Sequence, residues 1–326
     1  LKIATYIGAF IGITLLLGVL VQADFSALVG ILKSGTAIVW LIPYRAVFFT
    51  LYAAGWWALL RPVDRERRAT LRFLFWVTTI REAVDRLLPV ASVGGSVIGI
   101  RMVRWRGIAL APLGASVIVE IVLTLIVSYL FAALGLVLLV GTGAGAEFRR
   151  VGWAFVLSIP VPLITFLVLR HGALFARLEA LLRRLTGTRI SSGEAAALDH
   201  EVRASLNRSG PLSLAGSLQL TALLSGAFEI WFALRVFGHP VGFSASVILE
   251  SMTLALRHMA FVIPAGLGVQ EAGLVVFGQV LGIDSELALA VSMAKRLREI
   301  AWGIPMLISW QWSEGRRMHR LSRRHA

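Results

Sequence analysis

The sequence contains no cysteine, which excludes disulfides, thiolate metal ligands and a cysteine nucleophile. It is also poor in charge. Only 15% of its residues are Asp, Glu, Lys or Arg, against roughly 25% in a soluble domain. Lysine is nearly absent, with just Lys2, Lys33 and Lys295, so the basic side chains are almost all arginine. No Gly-Lys-Ser/Thr occurs, so there is no P-loop, and no His-Glu-x-x-His occurs to hold a catalytic zinc. The six histidines are scattered. The longest polar stretch, 170–212, leaves no room for a separate soluble catalytic domain. The residues therefore predict no metal, no cofactor and no catalytic residue.

What the chain has is apolar residues, 57% of the total. A membrane-crossing helix needs about 20 of them in succession. The stretches 3–23, 36–60, 112–140, 151–169, 213–237 and 286–310 meet that requirement. They predict one integral membrane domain over 1–326. The run ending Val21-Gln22-Ala23-Asp24 resembles a signal-peptide cleavage site, but its length favours an uncleaved first span.

The formal net charge of +14 does not imply nucleic-acid binding. It is concentrated in the loops between spans, where anionic lipid and the positive-inside rule account for it. Arg61, Arg65, Arg67, Arg68 and Arg72 crowd one loop, and seven arginines lie in 170–212. The 238–245 loop has none, and Arg316, Arg317, Arg320, Arg323 and Arg324 lie in the tail. Basic and nearly neutral loops alternate. The pattern predicts six full spans with both termini cytoplasmic.

Two regions do not read as single spans. In 73–106 the apolar run is interrupted by Arg81, Glu82, Asp85 and Arg86, then by Pro89, Gly94 and Gly95. In 246–282 it carries Glu250, Arg257 and His258, then Pro264, Gly266 and Gly268. Helices of 12–18 residues rise only about 18–27 Å. Each region therefore reads as a re-entrant helical hairpin that turns at its Pro/Gly break; a pair of tilted full helices is the alternative. Broken backbone at that depth must be shielded by protein or line a cavity. Within 170–212, Leu174, Leu178, Leu181 and Leu185 at helical spacing, among Arg177, Arg183 and Arg184, predict a helix lying on the membrane surface. Ser191 with Glu194 predicts the capped start of a second helix.

The two interrupted regions match in spacing. Pro89 and Pro264 lie 175 positions apart, as do Gly107 and Gly282, and Glu120 falls at the equivalent of Lys295 or Arg296. Repeat units of about 38–140 and 213–310 follow. By the count of crossings the copies are inverted, an architecture that transporters use to open to either side in turn. The fold expected is all-α and polytopic, with six full spans plus two re-entrant hairpins in an inverted repeat.

Ionisable residues inside a membrane segment cost roughly 2.5–3.5 kcal/mol each on insertion scales, so they mark partners or function. Lys295, Arg296, Arg298 and Glu299 sum to +2 within one span. Lys295 and Glu299 share a helix face. Glu271, Glu120 and Glu229 are the candidate internal partners, and a lipid phosphate or carboxylate is the candidate external one. Arg81, Glu82, Asp85 and Arg86 form a second, neutral cluster in which Arg81–Asp85 and Glu82–Arg86 stand four apart. The Gly-x-x-x-Gly pairs Gly8/Gly12, Gly95/Gly99 and Gly278/Gly282 permit close helix packing.

The segment from Arg257-His258 through Pro264-Ala-Gly266-Leu-Gly268-Val-Gln270-Glu271 has a counterpart in a known family. With Lys295-Arg296-Leu-Arg298-Glu299 and Arg81 to Gly95, it resembles the lysylphosphatidylglycerol synthase transmembrane family, over nearly the whole chain. Within that family the likeness is to the HpnL-type, hopanoid-associated group. The resemblance implies movement of a lipid between leaflets. Members that make lysyl-lipids carry an additional soluble domain, so aminoacyl transfer is not implied. The substrate-binding set expected is Arg257, His258, Gln270, Glu271, Lys295, Arg296, Arg298, Glu299 and Glu120. The partner is a hopanoid, phospholipid or polyprenyl phosphate, and a homo-oligomer is compatible with it. Two alternatives stay open: a membrane-embedded enzyme on a lipid head group with Glu271 or Glu299 as base, and a scaffold for lipid-synthesis enzymes.

Overall fold

The structure is a computed structural model that describes residues 37–88, 94–143, 155–177, 179, 193–260, 263 and 266–325. The first apolar run, Pro89, Pro264, Leu178, Leu181, Leu185 and Ser191 lie outside the described residues. The described elements are α-helices: α1 (Ala37–Leu60), α2 (Leu71–Leu87), α3 (Gly94–Arg104), α4 (Leu110–Gly141), α5 (Pro160–His171), α6 (Glu194–Leu206), α7 (Ser209–Val236), α8 (Phe243–Met259), α9 (Val269–Val280) and α10 (Ser285–His325).

Among the described residues, α4 and α7 are long and apolar enough to cross a membrane by themselves. With 32 and 28 residues, they rise about 48 and 42 Å, more than the roughly 30 Å of bilayer hydrocarbon. α4 has no polar face, as befits a helix whose outer surface meets lipid, and α7 exposes Ser213, Ser217 and Thr221, whose hydroxyls donate to carbonyls of their own helix. Val137 and Leu130 on α4 and Ile308 and Trp312 on α10 stand exposed, which suits a hydrocarbon surrounding. The chain is an all-α, membrane-associated protein.

Each interrupted region is two short helices. α2 and α3 have 17 and 11 residues, and α8 and α9 have 17 and 12. The repeat extends to the helix boundaries. α1 and α7 begin 172 positions apart, as do α2 and α8; α3 and α9 begin 175 apart, as do α4 and α10. The difference of three arises in the breaks, which hold six residues between α2 and α3 and nine between α8 and α9. After the break, backbone hydrogen bonds recur at that offset of 175. Arg106 N–H donates to the Val103 carbonyl, and Leu281 N–H to that of Gly278. Gly107 N–H donates to Arg104 and Gly282 N–H to Gln279. Both glycines are left-handed, with φ of 77° and 73°. The landmark pair Gly107/Gly282 is thus one helix-ending turn used twice.

By contacts the chain forms two units, each drawing on both repeat blocks. The second, Val47–Phe75 with Ile100–Gly226, has a core of Leu59, Ala115, Val119, Val122, Leu169, Val202, Leu206 and Ala215. Trp56 Nε1 donates to Ser116 Oγ (3.1 Å) inside it. α6 begins within the polar 170–212 stretch, and its N-cap is Gly193 with no side-chain cap bond; the capping role expected of Ser191 lies outside the described residues. α6 packs on α4 and α5 and buries Asp199. That carboxylate accepts the N–H groups of Phe175 (3.2 Å) and Ala176 (2.8 Å), capping the turn that follows α5.

The first unit holds, among the described residues, 37–46, 76–88, 94–99, 227–260, 263 and 266–325. Here α9 packs against α8 and α10. Glycines set the closest approaches. A side chain at Gly95 would strike the Arg81 carbonyl and the Asp85 carboxylate, and one at Gly99 would meet Arg81 Cδ at 2.6 Å. A Cβ at Gly278 would stand 3.2 Å from Ala288. Trp302 Nε1 donates to the Ile42 carbonyl (2.5 Å), beside Pro43, the proline inside α1.

A Cβ at Gly282 would meet nothing within 4 Å, so any penalty for a side chain there is conformational strain alone. Gly282→Ala is expected to lower unfolding stability in detergent by about 1–2 kcal/mol, and Gly282→Asn by less, because Asn tolerates the left-handed region. Thermal unfolding followed by circular dichroism checks the order.

Candidate functional site

The charged residues of the first unit close into a ring of ion pairs. Arg45 of α1 lies 3.4 Å from Glu82 of α2, and Glu82 accepts from Arg86 Nε at 2.9 Å. Arg86 reaches Glu299 of α10 at 3.8 Å, and Arg298 lies 3.8 Å from the same carboxylate. Arg298 pairs with Glu229 of α7, and Glu229 returns to Arg45 at 3.7 Å. Cations and anions alternate around the six members, which come from four helices.

A branch leaves the ring at Glu299. Arg296 Nη1 donates to it at 3.1 Å, while Nε donates to Glu271 at 2.9 Å and Nη2 to the Gly266 carbonyl at 3.1 Å. Lys295 forms a separate pair with Glu250 at 2.5 Å. Lys295 and Glu299 share a helix face, as their spacing requires, but the ammonium turns to α8 instead. Glu271, Arg298 and Glu229 are buried, with side-chain exposures of 0%, 1% and 2%, while Glu82, Arg86, Glu250 and Arg296 are partly buried. The charge of +2 on α10 is offset. Arg45, Arg86, Lys295, Arg296 and Arg298 face Glu82, Glu229, Glu250, Glu271 and Glu299, five against five. A low-dielectric interior demands this balance, because an unpaired charge there costs several kcal/mol.

The two charge clusters of the sequence are therefore one network. Glu82 and Arg86 pair along α2 as their spacing predicts, and both extend into the ring. Asp85 and Arg81 serve the α2–α3 hairpin. Asp85 Oδ1 accepts the Gly95 N–H at 2.9 Å, and Arg81 Nη2 reaches Ser96 Oγ at 3.5 Å. Gly94 opens α3. Across the second break Arg257 Nη1 donates to Gln270 Oε1 at 3.0 Å. Asp85 and Arg257 are 172 positions apart, and Gly95 and Gln270 are 175 apart. The same two places are bridged in both copies, by an acid in the first and a base in the second.

Gly266 and Gly268 both have positive φ, 59° and 74°. A Cβ at Gly266 would stand 3.0 Å from Arg257 Nε, so glycine there lets the guanidinium lie against the backbone of the break. From Gln270 a chain runs inward. Its Nε2 donates to Ser292 Oγ (3.1 Å), and Ser292 Oγ donates to Glu271 Oε1 (3.4 Å), the partner of Arg296. No carboxylate partner of Arg257 is found among the described residues. His258 is exposed in the last turn of α8. Glu120 is buried in α4, in the other unit. Beside Glu229 lies an apolar cavity of about 590 Å³ whose walls include Trp40, Pro43, Tyr44, Phe228 and Phe232.

Sequence reasoning missed Arg45 and Ser292. Arg45 had a signal, a lone arginine inside the apolar run 36–60; Ser292 had none.

An all-helical chain with lipid-facing long helices, broken short ones and a buried charge network is a membrane-embedded protein. The chain belongs to the lysylphosphatidylglycerol synthase TM region family, which matches residues 6–305. The matched region is the membrane part and not a catalytic one, so the chain's role is non-enzymatic and associated with lipid. No curated protein and no solved structure matches the chain.

The direct bond between Lys295 and Glu250 allows a paired measurement. Lys295→Met or Glu250→Gln alone is expected to cost about 3 kcal/mol of stability, because each leaves a charge or its partner stranded. The double variant should cost less than the sum by at least ~1 kcal/mol, as read from unfolding in detergent.

Proposed function

We propose that this chain moves a lipid between the leaflets of a bacterial cytoplasmic membrane, its head group passing the charge network of the first unit. The observation that carries the proposal is the sharing of partners in that network. Glu299 serves Arg86, Arg296 and Arg298, and Arg45 serves Glu82 and Glu229. A member can turn to a head group while its former partner keeps another counter-charge. The energy of baring a charge in hydrocarbon is thereby avoided. A network fixed in exclusive pairs would lack this property.

Arg257 is the residue we assign to first contact with the head group. It lies at the break and keeps guanidinium donors beyond the one given to Gln270. Gln270, Ser292 and Glu271 link it to Arg296, and Lys295, Arg298 and Glu299 complete the set. The balanced charge of the network removes the objection to a neutral head group, so a hopanoid, as in the hopanoid-associated members, stands beside a phospholipid or polyprenyl phosphate. The α2–α3 and α8–α9 pairs act as re-entrant hairpins of an inverted repeat with six full spans, and both termini face the cytoplasm.

Two experiments test this. The absence of native cysteine allows Glu66→Cys and His239→Cys to be labelled singly with an impermeant maleimide. Glu66→Cys should react only from the cytoplasmic side and His239→Cys only from the outer side; labelling of both from one side overturns the topology. Liposomes containing the protein and fluorescent anionic, zwitterionic or polycyclic lipids should show faster transbilayer movement than protein-free vesicles. Arg257→Gln and Glu299→Gln should slow it about tenfold, the loss of one charge-assisted contact. Movement no faster than in empty vesicles for every lipid class would end the transport reading.

A further inference from the structure

The second unit carries a feature that the charge network does not use. Two cavities, of about 530 and 360 Å³, share Ile126, Leu130 and Phe166 and so form one trough. Its walls are α4, the segment 155–171 and the start of α7. Its polarity is one-sided. Toward one end it is lined by Pro162, Leu163 and Phe155, with Tyr129 ring-stacked on Phe155 at 5.6 Å. At the other end stand Arg170, Asn207 and Ser209. Ser213 and Ser217, also there, spend their hydroxyls on the carbonyls of Gly210 and Leu214.

The mouth is electropositive for two independent reasons. Arg170 and His171 end α5, and Arg170 is held over the Phe166 ring, 5.8 Å from its centroid. Ser209 begins α7, where the N–H groups of Ser209 and Gly210 lack helical acceptors, residue 211 being proline and the Leu212 N–H donating to the Arg208 carbonyl; the first turn has no acidic residue. The length is also informative. From Ile159 to Arg170 along the helix is about 17 Å, and from Leu123 to Ala133 on α4 about 15 Å. One leaflet's hydrocarbon is about 15 Å deep. A trough of one acyl chain's reach, with a cationic mouth at the basic 170–212 stretch, is complementary in shape and charge to an anionic lipid.

We infer that this trough binds one anionic phospholipid, its phosphate at Arg170 and the start of α7 and an acyl chain against Ile126, Leu130 and Phe166. The site lies in one unit and owes nothing to the transport reading. Anionic lipids are abundant in the leaflet that the basic loops face, so the site is filled without a delivery step.

The test is native mass spectrometry of the full chain released from detergent with phosphatidylglycerol or phosphatidylcholine. The expected result is one retained phosphatidylglycerol in preference to phosphatidylcholine. Arg170→Gln, at an exposed position, should lower that preference about tenfold. Leu130→Trp, which fills the junction of the two cavities from a position 61% exposed, should abolish retention with Arg170 intact. Arg104→Gln, an equal loss of charge elsewhere, should change nothing. Retention unchanged in both trough variants, equal retention of the two lipids, or displacement by free glycerol phosphate would each overturn the assignment. The measurement is made in detergent, where no transbilayer movement occurs, so its outcome is separate from that of the liposome assay.

Discussion

A charge in hydrocarbon must be met by an opposite charge or a hydrogen-bonding partner, and the first unit is organised around that demand. Arg45, Arg86 and Arg298 sit among Glu82, Glu229 and Glu299, with α1, α2, α7 and α10 each contributing members. Hydrophobic packing gives little preference for one helix arrangement over another when the surroundings are also apolar. Ion pairs are directional and expensive to lose, so they select the register in which these helices meet. Glycine permits that register: without Gly95 and Gly99, α3 could not lie close enough to α2 for Asp85 to hold its first turn.

The helices on either side of the two breaks recur at matched spacing, and the breaks differ in chemistry. Gly107 and Gly282 end equivalent helices with the same turn. Where Asp85 holds a backbone N–H, Arg257 holds a side-chain carbonyl. A backbone donor belongs to the fold and cannot leave it. A glutamine amide can rotate, and Gln270 is tied through Ser292 to Glu271 and so to the ring. The second break is thus the one through which a bound group would be felt by the network.

Much of the helical layout was legible in the sequence because it depends on local properties. Apolar run length marked α1, α4 and α7, and Pro/Gly breaks split the two interrupted regions into short helices. Spacing anticipated the matched offsets of the helix starts and the Glu82–Arg86 pair. Partner choice between helices was not legible. The face shared by Lys295 and Glu299 suggested nothing of Glu250, which lies on another helix. Likewise the surplus of +2 was real for the 295–299 cluster alone and vanished once the carboxylates of α2, α7, α8 and α9 were set against it and against Arg45 and Arg86. Arg45 could have been found by asking why an otherwise apolar span tolerates an arginine. Asp199 could not, since its role as a cap depends on how α6 folds back toward the end of α5.

The two breaks differ by three residues, nine against six. A chain of n residues can span at most about 3.3–3.6 Å for each of them, so three more residues extend the reach of the second break by about 10 Å. The end of α8 and the start of α9 can therefore stand farther apart than the end of α2 and the start of α3. The two breaks are unlike in reach as well as in the charge that bridges them.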